Sequence, residues 1–168
     1  IFELIEYGSK KGLKIGLGSN GYLIDDEVAA KLKAAGIATV SISIDSSIPA
    51  QHDEFRGVEG AWEKAVNACK VLRKNNILVQ VNRTLTHYNY NQIDDIMSLA
   101  ESTGVENFHL FFLVPTGRGV KLEDISPQKY EDMITKTFAK VLKHKLNVKP
   151  SCGEMSSNFT PLPVGTKK

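Results

Sequence analysis

Ser41, Ser43 and Asp45 occupy every second position of the segment SISID, and Gln80 and Asn82 do the same in LVQVN. Alternation in an extended chain sends these residues to one face and Val40, Ile42, Ile44, Val79 and Val81 to the other. A row of hydroxyls, amides and a carboxylate can bind a polar ligand, or its members can satisfy one another in a packed interior. Arg56 and Arg118 each stand next to glycine, in FRG and GRG, where a guanidinium fork can reach a carboxylate or phosphate or simply stay solvated. Residues 16 to 21, GLGSNG, match the glycine spacing of a dinucleotide-binding turn, with Asp45 at the end of the next strand as the ribose partner. Against that reading, YLI separates the last glycine from the helix cap at Asp25. Asp25, Asp26 and Glu27 also place carboxylates where a pyrophosphate needs positive potential. His52, His87, His109 and His144 follow no metal-ligand spacing. Cys69 shares the apolar face of a helical pattern with Ala61, Ala65, Ala68 and Leu72, while Cys152 stands apart near the C-terminus.

These residues need a scaffold, and the chain supplies one by alternating short β-rich runs with helical patterns, as repeated βα units around a parallel sheet do. Strands are expected at about 13 to 19, 39 to 45, 77 to 82 and 107 to 114. Helices are expected at about 1 to 11, 25 to 35, 61 to 74, 91 to 103 and 127 to 145. Asp25 and Ser126 stand at N-cap positions, Pro127 at a first helical position, and Gly36 and Gly104 at C-caps. Links from helix to strand are short (GIA, NN, GVE), whereas links from strand to helix are long. Ligands in α/β folds bind at the carboxyl ends of the strands, where the long links gather. A sheet covered on both faces reads as nearly continuous Val, Ile and Leu. One polar face therefore predicts an α/β fold of another kind: a partial (βα) barrel of about four parallel strands, with helices on its outer face. Residues 1–146 form it, and 147–168, rich in proline and without periodicity, form an extended or disordered tail.

At 168 residues and 42% hydrophobic, the chain suffices for one domain with a core. Its formal charge of +2 is spread along the sequence, so no basic stripe points to nucleic acid or a membrane surface. No apolar run approaches the roughly 18 residues of a bilayer span, and IFELIEYGSKKG reads as an amphipathic helix and not as a signal peptide. A cytoplasmic protein is expected, in which the glycosylation patterns NRT and NFT go unused.

Taken in order, SNG at 19–21, SID at 43–45, HDEFRG at 52–57, VNRTLT at 81–86 ahead of Asn89 and Asn91, and VPTGRG at 114–119 resemble the later part of the radical S-adenosylmethionine core. The likeness covers about residues 1–145. It is greatest to the branch with C-terminal auxiliary-cluster domains, which includes peptide-modifying, sulfatase-maturing and heme-biosynthesis enzymes. The resemblance implies part of a (βα)6 barrel in which a 4Fe–4S cluster reduces S-adenosylmethionine to a 5′-deoxyadenosyl radical that abstracts a substrate hydrogen. It also implies that Ser43 contacts the ribose or methionine part of the cofactor and that Arg56 pairs with its carboxylate. Ser19, Asn20 and Asn82 would line the cavity, Asp45 would belong to the same cofactor wall, and the backbone around Val114 and Pro115 would flank the adenine. Gln80, His109 and Arg118 would face the substrate, a small molecule or a peptide. The family's Cys-x3-Cys-x2-Cys loop and Gly-Gly-Glu segment do not occur in this sequence, and cluster ligation needs thiolates. The expectation is therefore a fragment that begins before the third barrel strand, with the cluster ligands elsewhere in a parent protein, and that performs no radical chemistry alone. Edge strands left open in such a fragment would favour a homodimer. The alternatives are a doubly wound NAD-binding domain using GLGSNG and Asp45, and a non-catalytic α/β interaction module.

Overall fold

Five parallel strands form one sheet in a computed structural model that describes residues 1–86, 88–113, 127–141 and 143–151. They are β1 (Gly16–Ser19), β2 (Thr39–Ser43), β3 (Leu78–Leu85), β4 (Asn107–Phe112) and β5 (Asn147–Ser151). Their spatial order is their order in the chain, β1-β2-β3-β4-β5. Each connection steps to the adjacent strand, and right-handed crossovers of that kind put the intervening helices on one face. The doubly wound alternative is thereby overturned, because it needs a point where the strand order reverses. The fold is a partial (βα) barrel.

The helices are α1 (Phe2–Lys10), α2 (Asp26–Ala34), α3 (Pro49–Arg56), α4 (Ala61–Lys74), α5 (Ile93–Ser102) and α6 (Pro127–Val141). None of the described helices is long and apolar enough to cross a membrane. Asp25 caps α2 through a carboxylate that accepts from the Val28 N–H at 2.8 Å, and Gly36 and Gly104 take positive φ behind α2 and α5. The sheet register brings Val40 beside Val79, and Ile42 beside Val81 and then Phe108. All five are buried under the helices. In α4, Ala65, Ala68, Cys69 and Leu72 are fully buried, and the small residues among them let the helix lie close to the sheet.

Two elements differ from the sequence reading. The fifth strand, Asn147–Ser151, falls where the sequence predicts an extended or disordered tail; the segment is extended, and it joins the sheet by pairing with β4 from Asn107↔Asn147 to Phe111↔Ser151. Its sequence, NVKPS, has no clear alternation, and Pro150 is tolerated because β5, an edge among the described strands, bonds there on one side only. The second is α3, inside what looked like a polar loop. It starts with Pro49 and stops at Gly57 in the left-handed region. His52 is its one buried residue, so it carries no hydrophobic periodicity to detect.

Candidate functional site

Parallel pairing puts residues of equal register on the same face, so the face away from the helices can be followed across the sheet. One row is Gly18, Ser41, Gln80 and Asn107; the next is Ser43, Asn82, His109 and Lys149. Ser41, Ser43, Gln80, Asn82 and His109 are all half-buried, neither sealed under aliphatic groups nor fully solvated. They also bond to one another. The Gln80 amide nitrogen lies 2.7 Å from Asn82 Oδ1, 3.4 Å from Ser41 Oγ and 3.3 Å from His109 Nδ1. With its oxygen engaged by Gln80, Asn82 presents its NH2 as the donor of the wall. Burial, and after it the nearby Lys149, holds the His109 imidazole below its usual pKa, which favours the neutral ring. At Gly18 a side chain would meet nothing within 4 Å, so the wall is open at that point.

At the carboxyl ends of β2 and β3 the polar groups are buried and tightly bonded. Asp45 is 1% exposed. Its Oδ1 accepts from the Thr84 N–H at 3.0 Å, and its Oδ2 lies 2.5 Å from Arg56 Nη2. That contact is an ion pair. The Asp45 N–H donates to His52 Nδ1 at 3.2 Å, and its carbonyl accepts from Asn89 Nδ2 at 2.9 Å. Asn89 also donates to the Thr84 carbonyl and accepts from the Thr86 N–H, both at 2.9 Å, so a single amide ties the ends of two strands together. Gln92 extends the network: its Oε1 is 2.7 Å from Ser46 Oγ and accepts from the Ser47 N–H, while its Nε2 contacts Gln51. Asp53 fixes the start of α4 by accepting from the Gly60 and Trp62 N–H groups at 2.7 and 2.8 Å.

Arg83 stands on the opposite, helix-covered face with no exposure. It donates through Nη1 to the Gln92 carbonyl at 3.2 Å and through Nη2 to the Asn89 carbonyl, pinning the loop that carries both. Burial pulls its pKa to about 10, against support from Asp45 and Asp95, so it remains a cation at neutral pH.

His52 ties titration to this network. Burial holds its pKa below the usual imidazole value, partly offset by Asp45. Only a neutral ring can accept the Asp45 N–H at Nδ1. The unfolded chain thus binds the His52 proton more readily than the native one. The His52 contribution to stability is complete above about pH 6.5 and declines as pH falls toward the lower native value, by at most about 1.4 kcal/mol per pH unit. Denaturation between pH 5.5 and 7.5 is expected to show this slope. His52→Asn, which keeps an acceptor and cannot titrate, is expected to flatten it; an unchanged slope in that variant would refute the assignment.

Of the residues singled out in the sequence, the structure brings Ser43, Gln80, Asn82 and His109 onto one face and sets Asp45 and Arg56 against each other at its rim. Ser19 is placed differently. Its register partners are Ile42 and then Val81, on the helix-covered face, and its Oγ accepts from the Gly21 N–H at 3.0 Å. Asn20 is exposed and accepts from the Tyr22 N–H at 3.1 Å in an Asx-turn. Val114, Pro115, Arg118 and Cys152 lie outside the described residues. Sequence reasoning missed Arg83, Gln92 and Ser46, and named Asn89 in a motif without giving it a role. For Arg83 a signal existed, since a charge in phase with Val79, Val81 and Leu85 is a charge on the buried face.

Comparison with known proteins adds independent findings. The profile of the Radical SAM superfamily matches residues 1–101. The chain is 38% identical over 152 residues to the AdoMet-dependent heme synthase of Methanosarcina barkeri, an alignment covering 90% of this chain and 44% of the synthase. It is 30% identical over 128 residues to the mycofactocin maturase MftC of Mycobacterium ulcerans, covering 75% of this chain and 34% of the maturase. Streptococcus suis SuiB, solved with S-adenosylmethionine bound, superposes with a TM-score of 0.73 at 13% identity over 89% of this chain and 35% of SuiB. The chain thus spans less than half the length of these relatives, and at such identity the SuiB likeness concerns the fold alone.

Proposed function

The chain belongs to the Radical SAM superfamily, and from that premise we propose that it forms the S-adenosylmethionine and substrate wall of a longer enzyme. The observation that carries this reading is the half-open row of Ser43, Gln80, Asn82 and His109 on the face away from the helices. Its neutral donors and acceptors suit ribose hydroxyls and a methionine moiety, and Gly18 leaves room beside it. Ser43 and Asn82 would hold the cofactor, with Asn20 at the rim, and Arg56 would meet the methionine carboxylate as a fork. Gln80 orients Asn82 and His109 and so sets the polarity offered to the substrate. When bound, the cofactor supplies hydrogen-abstracting chemistry; this chain supplies position and electrostatics.

A 4Fe–4S cluster does not fit the residues of this chain. Among the described residues no group of three His, Cys, Asp or Glu side chains could hold a metal. Cys69 is sealed in the core, where burial pushes its thiol up to about 12, and Cys152 has no cysteine near it in sequence. Cluster ligands would come from the rest of the full-length protein, and this chain alone would be inactive. Among the described strands, β1 and β5 are the edges, where further barrel strands or a second copy would pair. Likeness to a heme synthase and a mycofactocin maturase, with a fold shared by SuiB, which was solved with a precursor peptide bound, supports a substrate from heme biosynthesis or a peptide.

Titration calorimetry on the full-length protein tests this reading. S-adenosylmethionine is expected to bind and NAD is not, and Asn82→Ala is expected to weaken S-adenosylmethionine about tenfold, the loss of one good hydrogen bond to a ligand. Binding of NAD alone would overturn it.

A further inference from the structure

Asp45 belongs by sequence to the polar row, yet its surroundings leave it nothing to offer a ligand. The carboxylate side chain is 2% exposed. Oδ1 is held by the Thr84 N–H, Oδ2 by Arg56, the backbone N–H by His52 and the carbonyl by Asn89. Arg56 is in the opposite condition. Its side chain is 31% exposed, and among the described residues Asp45 is its one ionic partner, so most of the five guanidinium donors remain available. Arg56 is also the last residue of α3, a short helix that on its own would not hold a long flexible side chain in one rotamer.

We infer that Asp45 is a positioning residue that holds the Arg56 guanidinium in place for an anionic group of the ligand and does not itself touch that ligand. This inference rests on the proposed role of Arg56 toward the methionine carboxylate. The supporting structure is a relay fastened at both ends. Thr84 and Asn89 lock Asp45 to β3, and Asp45 locks Arg56 over the strand ends. A planar fork fixed by one carboxylate retains a second edge for another, and the ordering cost is met before the ligand arrives.

The test compares two ligands by calorimetry on the full-length holoenzyme: S-adenosylmethionine and its decarboxylated form, which lacks only the anionic group. Asp45→Asn keeps an oxygen for the Thr84 N–H and removes the charge. It is expected to weaken S-adenosylmethionine about tenfold and the decarboxylated ligand less than about twofold. In an Arg56→Gln background, adding Asp45→Asn is expected to cost nothing more, because the two residues act as one unit. Equal loss for both ligands, or no loss for either, overturns the inference. If Arg56→Gln itself leaves S-adenosylmethionine binding unchanged, the reading of Arg56 fails, and that outcome is distinct. Thermal unfolding checks the fold of each variant. Should Asp45→Asn not fold, Asp45→Glu, which shifts the charge by one methylene, supports the same two-ligand comparison.

Discussion

Arg83→Ala is expected to lower the unfolding free energy by about 4 kcal/mol, and Arg83→Met by less than half as much. Arg83 is among the largest fully buried side chains of the protein. Truncation to alanine leaves a void of the kind that costs about 2–5 kcal/mol. It also strips the donors from the Asn89 and Gln92 carbonyls, each worth about 1–3 kcal/mol if left unpaired, although water entering the void would recover part of that. Acting the other way is the charge itself. Arg83 Nε is buried without an acceptor, and burial already pulls the guanidinium toward neutrality, so removing the cation returns desolvation energy. Methionine separates these effects, because it fills most of the volume and carries neither the charge nor the unpaired Nε. Urea denaturation of both variants decides the matter. Equal losses would show that the carbonyl bonds, and not the volume, dominate; a Met variant as stable as the parent would show that the lost bonds are offset by the returned desolvation energy.

Arg83 also shows where the sequence stops being informative. The alternation Val79, Val81, Leu85 against Gln80, Asn82, Thr84 gave both the strand and its two faces, because period two is a property of the extended backbone. The helix caps at Asp25 and Gly36 were legible for the same reason: they act within a few residues. The network at the strand ends was not. Asn89 bonds to Asp45, and Gln92 to Ser46, across more than 40 positions of chain, and no local pattern encodes such pairs. Ser19 could be read as standing at a strand end but not on a face, because the four residues of β1 carry too little alternation to fix the register; its pairing with Ile42 is what puts it on the helix-covered side. Among the described residues the stretch after β2 is the one that carries an added α-helix, but α3, with its single buried residue, could be recognised only by its Pro49 start and Gly57 stop.

Gly21→Ala is expected to cost about 3 kcal/mol, whereas Gly18→Ala, three residues earlier in the same GLGSNG segment, is expected to change stability by less than about 0.5 kcal/mol. The spacing of these glycines suggested a phosphate cradle; the structure gives them unlike duties. Gly21 has φ +77°, and a Cβ there would sit 3.0 Å from Ala65 Cα and 3.0 Å from Ala68 Cβ on α4. The left-handed backbone costs an L-residue about 1–2 kcal/mol. Separating helix from sheet adds the usual cost of overpacking, about 1–3 kcal/mol, since the Ala65 Cα is backbone and cannot rotate aside. Gly18 lies in β1 on the face away from the helices, and a methyl group there meets nothing within 4 Å. Replacing glycine within a strand even removes some freedom from the unfolded chain. Thermal denaturation of the two variants checks this division: losses of similar size would show that neither the positive φ nor the contact with α4 sets Gly21 apart from Gly18.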